Sequence, residues 1–160
     1  MAEQLYDRSS RGCAVGHLDS GLRTAILAEA EGELLGDVTA TAVCCVETRS
    51  VPRRRTGVGR LLGGRPLPET LTAAVVLPRH LLVAVAVGNT GSVTAHSARL
   101  DGITVTDVDP RWAHDTGVSV FARWSHQSEA GSLHLALGGD PDGESFKESL
   151  RRAVEAAKSG

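Results

Sequence analysis

The chain has 160 residues, 41% of them hydrophobic and 22% charged, with a formal net charge of −2. This length suits one domain with a real core and is too short for two comfortable ones. No run of about 18 apolar residues occurs, which argues against a membrane-spanning helix. Aromatic residues make up only 3% of the chain, so the core must be built mainly from Val, Leu and Ala.

The first part of the chain combines a polar segment with a short helical pattern. Residues 1–19 show little periodicity and predict a loose arm. From Ser20, the spacing of Leu22, Ile26 and Ala30 predicts a helix that ends near Gly32. The first 20 residues are polar with mixed charge, unlike a secretory signal, so we expect a cytoplasmic protein.

Most of the remaining chain reads as short strands. Residues 36–49 alternate apolar and polar side chains, which is the period of a half-buried strand. Asn89-Thr90-Gly91 is a hairpin signal between two later strands. Seven strands are predicted in all, at residues 36–49, 69–77, 81–87, 92–98, 103–108, 118–124 and 133–137.

The last segment, residues 140–158, predicts an amphipathic helix. Asp140 can cap its free amides, and Pro141 suits the first helical position. The helix must bury one face against the strands, because its apolar residues recur at helical spacing: Phe146, Leu150, Ala153, Val154 and Ala157. Trp124 shares a strand face with Val118, Val120 and Ala122, which predicts core packing.

Seven strands followed by one C-terminal helix form the element order of the pleckstrin-homology-like (PH-like) superfamily, and residues 36–158 resemble its bacterial and GRAM-like members. The stretch TAAVVLPRHLLVAV, residues 72–85, is similar to a hairpin of such domains. The resemblance implies a seven-stranded antiparallel barrel capped by the helix, within one domain of residues 20–160. It also implies a non-enzymatic binding or scaffolding role. A β-sandwich with a packed helix is the competing architecture.

The barrel also has a physical rationale, since an open sheet would leave edges to be covered. We expect two neighbouring strands to line one interior with these side chains: Leu71, Ala73, Val75 and Leu77 against Leu81, Val83, Val85 and Val87.

The strongest functional candidate is a basic loop at residues 50–68 that is rich in Gly and Pro. From Arg49 to Pro68 the chain has a net charge of +6. The rest of the chain must therefore have a net charge of −8, because the total is −2. Clustered arginines give a positive field and bidentate donors for anions. The resemblance implies that Arg53 and Arg55 match the basic element that binds phosphoinositides. A solvated loop that balances an acidic body is the simpler alternative. The candidate binding residues are Arg49, Arg53, Arg54, Arg55, Arg60 and Arg65.

The other side chains predict neither a catalytic centre nor a cofactor or metal site. The six histidines are scattered, without the spacing of a metal motif. Cys13, Cys44 and Cys45 are odd in number, and the adjacent pair would point to opposite faces of a strand, so we expect reduced, structural thiols. Trp112 is either an exposed interaction anchor or a loop residue folded over the domain.

We therefore expect a protein partner, bound through the barrel or the basic loop. Peripheral recruitment to an anionic membrane lipid, or to another phosphate-bearing ligand, is the alternative within the binding class. A small enzyme with an unrecognised site is the alternative from another class. A nucleic-acid partner is not expected, and a homo-oligomer stays open.

Overall fold

The computed structural model describes residues 5–53, 68–88, 90–108 and 115–160. In this part of the chain, eight strands form a five-stranded and a three-stranded antiparallel sheet. The elements in chain order are β1 (Tyr6–Gly12), α1 (Ser20–Gly32), α2 (Val38–Thr41), β2 (Cys44–Pro52), β3 (Thr70–Val76), β4 (His80–Val87), β5 (Ser92–Arg99), β6 (Thr104–Asp107), β7 (Val118–Ala122), β8 (Gly131–Leu135) and α3 (Pro141–Ser159).

The five-stranded sheet, in the order β1-β2-β3-β4-β5, is the middle layer of the structure. Its central strands β3 and β4 are buried on both faces. In β3, Ala73 and Val75 belong to one apolar cluster, whereas Ala74 and Val76 belong to the other. Because successive side chains of a strand point to opposite faces, a strand buried on both sides reads as a continuous apolar run.

Helix α1 covers one face of this sheet. Its residues Leu22 and Ile26 are fully buried, at the spacing that the sequence predicts. Asp19 caps the N-terminus of the helix, because its carboxylate accepts a hydrogen bond from the Gly21 amide at 3.0 Å. The predicted helix at residues 20–32 is therefore confirmed.

The three-stranded sheet β6-β7-β8 and helix α3 cover the opposite face. Phe146, Leu150 and Val154 of α3 are buried there, as predicted, and so is Trp124. Asp140 caps α3 by accepting from the Gly143 amide at 2.9 Å. The helix is amphipathic and packed on the strands, so this prediction is confirmed.

The predicted seven-stranded barrel is wrong in two respects. The described chain contains eight strands, and they form two separate sheets that do not close into a barrel. The physical reason is that the five-stranded sheet has an apolar layer on each face. Ala73 and Val75 point towards α1, while Leu81 and Val83 point towards the other sheet, so these residues do not line one interior.

Two local predictions in the N-terminal part are also wrong. The arm at residues 1–19 is not loose throughout, because Tyr6–Gly12 is strand β1 and pairs with β2 along its whole length. The strand predicted from residue 36 begins only at Cys44. Asp37 instead caps the short helix α2, accepting from the Ala40 amide at 3.1 Å. An N-cap overrides the apparent alternation there.

Among the helices of the described ranges, none combines the length and the apolar character that a membrane crossing requires.

Candidate functional site

The two described arginines of the predicted basic site are both ion-paired. The Arg49 side chain donates to Glu69, and Arg53 Nε donates to Asp7 Oδ1 at 2.8 Å. The Arg53 backbone amide also donates to the Leu5 carbonyl at 2.9 Å. These contacts fix residues on both sides of the loop at one end of the five-stranded sheet. The remaining predicted site residues lie outside the described residues: Arg54, Arg55, Arg60, Arg65 and Trp112.

A partly buried ionic cluster closes the β1 edge of the five-stranded sheet. Arg8 of β1 forms an ion pair with Asp115, and the two side chains are only 10% and 17% exposed. The second oxygen of Asp115 lies 3.1 Å from Nε2 of His134 on β8. The Gly117 amide donates to Asp115 Oδ1 at 2.8 Å. The cluster thus joins β1 to both β8 and the segment that leads into β7.

The surroundings of Asp115 favour its charged form. Burial by itself raises the pKa of this carboxyl, but the hydrogen bonds from His134 and the Gly117 amide, with the charge of Arg8, outweigh it. The net result is a pKa far below the usual range. A carboxylate held ionised in this way serves as a structural anion and is a poor proton donor or acceptor near neutral pH.

Two further carboxylates accept hydrogen bonds from two backbone amides on the outer side of β1. Asp140 Oδ2 accepts from the Ser10 amide at 2.8 Å, and Asp142 Oδ2 accepts from the Gly12 amide at 2.9 Å. The Gly138 amide in turn donates to Ser10 Oγ at 2.8 Å. With these amides occupied, this part of the edge cannot pair with another strand.

A second polar cluster, centred on Glu29 of α1, closes the opposite edge at β5. Glu29 is only 7% exposed. Its Oε1 accepts hydrogen bonds from Ser97 Oγ at 2.9 Å and from Ser125 Oγ. Its Oε2 lies 2.8 Å from Nε2 of His126, whose imidazole is exposed to solvent. Exposed Glu33, the C-cap residue of α1, follows four positions later on the same side.

The surroundings of Glu29 also favour the charged form of its carboxylate. Burial acts to raise the pKa of Glu29, but the hydrogen bonds from Ser125, His126 and Ser97 outweigh it and lower that pKa. The hydrogen bond to Glu29 raises the pKa of His126 in turn. His126 also has a φ of +64°, in the left-handed region that few residues other than Gly adopt. The backbone there holds the imidazole over the carboxylate.

Sequence reasoning missed both clusters because their members are far apart in the chain. Glu29 and His126 are separated by 97 positions, and Arg8 and Asp115 by 107. The sole local signal is the spacing of Glu29 and Glu33 on one face of a helix. That spacing is common in solvated helices and by itself indicates no chemistry.

The three cysteines are free thiols in an apolar setting. Cys44 and Cys45 pack on opposite faces of β2, as predicted. Cys13 lies opposite Cys45, with its amide donating to the Cys45 carbonyl at 3.2 Å. Burial raises the pKa of all three thiols, most strongly that of Cys45. A raised pKa lowers the thiolate fraction and so favours structural over nucleophilic roles.

Comparison of the chain with models of protein families, with curated proteins and with solved structures finds no match.

Proposed function

We propose that this protein is a non-enzymatic binding module that uses its basic segment, residues 54–67, to engage an acidic surface of a protein partner. One observation carries the proposal. The ion pairs Arg49–Glu69 and Arg53–Asp7 attach both flanks of this segment to the end of a well-packed sheet. Arg49 and Arg53, whose charges are paired in these contacts, are distinct from the arginines of the segment itself.

The composition of the segment supplies the binding chemistry. Residues 54–67 contain four arginines and no acid, so the segment carries +4 in a chain of net charge −2. Guanidinium groups form bidentate hydrogen bonds with carboxylates, and closely spaced positive charges accelerate encounter with an acidic partner. The element order from β2 to α3 also follows that of PH-like binding modules: four strands, then three strands, then a C-terminal helix. That analogy supports a binding role, although the sheets do not close.

Recruitment to an anionic membrane surface is the second candidate. Leu5 and Val51, at the same end of the sheet as Arg53, are 48% and 36% exposed. Apolar side chains beside a basic segment can insert shallowly among lipid headgroups while the arginines contact phosphate. The two candidates share the same arginines and differ in the surface they bind.

The test reverses two charges within the segment. The double variant Arg54→Glu/Arg55→Glu is compared with wild type and with Arg79→Glu/Arg123→Glu, a control that makes the same charge change at exposed sites elsewhere. Each protein is used in pull-downs from lysate and in co-sedimentation with anionic and neutral vesicles, at low and high salt. Screening predicts that binding through the segment weakens as salt is added.

Selective loss of an acidic protein partner in the segment variant supports the proposal. Selective loss of anionic-vesicle binding, with neutral vesicles unbound throughout, replaces it with membrane recruitment. If the segment variant and the control behave as wild type in both assays, the segment is a solvated loop and the proposal fails.

A further inference from the structure

The side chains of Glu29, Glu33 and His126 converge at the β5 edge, away from the ion pairs that flank the basic segment. One potential ligand atom from each residue lies within 4.8 Å of the other two. We propose that these residues bind a divalent transition-metal ion such as Zn²⁺. The proposal does not depend on the function of the basic segment.

The types of ligand fit this class of ion. Imidazole nitrogen and carboxylate oxygen together suit Zn²⁺ and its first-row neighbours, whereas Mg²⁺ and Ca²⁺ prefer sites built from oxygen alone. Bonds of about 2.0–2.2 Å place tetrahedral ligands roughly 3.3–3.6 Å apart. Glu29 Oε2 and His126 Nε2 are already 2.8 Å apart, so a small opening admits the ion. Glu33 is exposed and can close from the solvent side.

The surroundings of Glu29 prepare it as a ligand that uses one oxygen. Ser97 and Ser125 both donate to Oε1, which leaves Oε2 directed at His126. Hydrogen bonds to the non-binding oxygen orient a metal-bound carboxylate in this manner. The Ser97 amide donates to Ser125 Oγ at 3.0 Å and so fixes the direction of that hydroxyl.

The metal would replace a proton at this point. Oε2 of Glu29 and Nε2 of His126 are within hydrogen-bond distance and share one proton when His126 is charged. On binding, that proton leaves to solvent, and both lone pairs turn to the ion. Water can complete the coordination. His96, whose ring centroid lies 6.3 Å from that of His126, adds a second imidazole beside the site.

A bound ion would connect the end of α1 to the segment after β7. These elements otherwise meet at this point through the hydrogen bonds of Glu29. Since only the folded chain brings the three ligands together, binding should raise the melting temperature as metal is added. The site would thus be a metal-dependent clamp between the two layers on either side of the five-stranded sheet.

The test titrates the metal-free 160-residue chain with ZnCl₂ by calorimetry, and follows thermal unfolding with and without Zn²⁺. Glu33→Gln and His126→Gln each remove an exposed ligand, so the fold should be retained. Glu31→Gln makes the same charge change on the exposed opposite side of α1 and is the matched control. Cys13→Ser tests whether the half-exposed thiol is the actual ligand.

We expect Zn²⁺ binding and a rise in melting temperature in wild type, Glu31→Gln and Cys13→Ser, and loss of both in the two ligand variants. Ser125→Ala should weaken binding by roughly 10–100-fold, as is usual for partners of a metal ligand. Cobalt substituted for zinc should lack the intense thiolate charge-transfer band. Absence of binding in wild type, equal binding in Glu33→Gln, or loss in Cys13→Ser would each overturn the proposal.

Discussion

The two edges of the five-stranded sheet are each closed by a carboxylate that is largely shielded from solvent, but the two carboxylates differ in one of their partners. At the β1 edge, Asp115 is bound by the guanidinium of Arg8, which is only 10% exposed, and by His134, whose side chain is 40% exposed. At the β5 edge, Glu29 is bound by two neutral hydroxyls and by His126, whose side chain is 60% exposed. Each carboxylate thus has an exposed imidazole on one oxygen, and the edges differ at the other oxygen, which meets a permanently charged guanidinium at the β1 edge and neutral hydroxyls at the β5 edge.

This difference distinguishes a structural ion pair at the β1 edge from a candidate binding site at the β5 edge. Removing the charge of Asp115 would leave the guanidinium of Arg8, which is only 10% exposed, without its counter-ion, and such a change is destabilising. Removing the charge of Glu29 would leave hydroxyls that can still donate to an uncharged oxygen. The β1 edge is consequently fixed, whereas the β5 edge can exchange a proton for another cation with less loss of stability.

Loss of an apolar side chain from the core between the two edges should have the largest effect on the free energy of unfolding, and the effects at the edges can be compared with it. Phe146→Ala should lower the free energy of unfolding by about 3–5 kcal/mol, because the ring is only 4% exposed and its removal leaves a cavity. Phe121 on β7 is 48% exposed, so Phe121→Ala is the matched control and should cost much less. Urea denaturation of both variants measures the difference. Equal losses would mean that α3 is peripheral to the core.

Asp115→Asn should give the next largest effect, about 2–3 kcal/mol, since it breaks a partly buried ion pair and leaves Arg8, only 10% exposed, without its counter-ion. The control is Asp101→Asn, which breaks the exposed pair with Arg99. Exposed pairs contribute about 0–1 kcal/mol, so the control should unfold almost as wild type does. If both variants lose the same small amount, the β1 edge is held by packing and not by its charges.

The layer of α3 was predictable from the sequence, whereas the two edges were not. Asp140, Pro141 and the apolar stripe that starts at Phe146 lie within one helix, and local rules read such signals directly. The continuous apolar runs of β3 and β4 are equally visible. These runs alone predict one barrel interior as readily as two apolar layers, because periodicity cannot show whether a strand is buried on one face or two.

The edges depend on contacts between residues about 100 positions apart, which no local pattern contains. Strand β1 is a related case. Its residues, Tyr6–Gly12, are mostly polar and alternate between partly buried and exposed, so the sequence shows no apolar pattern there. It is a strand because β2 offers free backbone partners and the carboxylates of Asp140 and Asp142 cover its other side.

Glu29→Gln should cost about 1–2 kcal/mol in the presence of a chelator, less than Asp115→Asn. The amide oxygen can still accept from Ser97 and Ser125, so the loss is limited to the charge on those hydrogen bonds and to the pairing with exposed His126. Glu31→Gln on the exposed side of α1 is the control and should be close to neutral. A loss equal to that of Asp115→Asn would show that the β5 edge is as closed as the β1 edge.

The smallest expected effect is the acid sensitivity of the β1 edge. The folded-state pKa of Asp115 is lowered, so its stabilising contribution is complete above the pKa of an unfolded aspartate, about 3.9, and is lost as pH falls towards the folded-state value. Between pH 5 and pH 3, the unfolded chain takes up this proton while the folded chain does not.

Wild type should therefore lose about 1 kcal/mol more stability over this interval than Asp115→Asn, which has no carboxyl at this position to titrate. Urea denaturation at the two pH values measures the change in the difference between the proteins, and the other carboxyls are common to both. A difference that stays constant from pH 5 to pH 3 would mean that Asp115 titrates alike in both states. Its ion pair with Arg8 would then add nothing, and the distinction between the two edges would be lost.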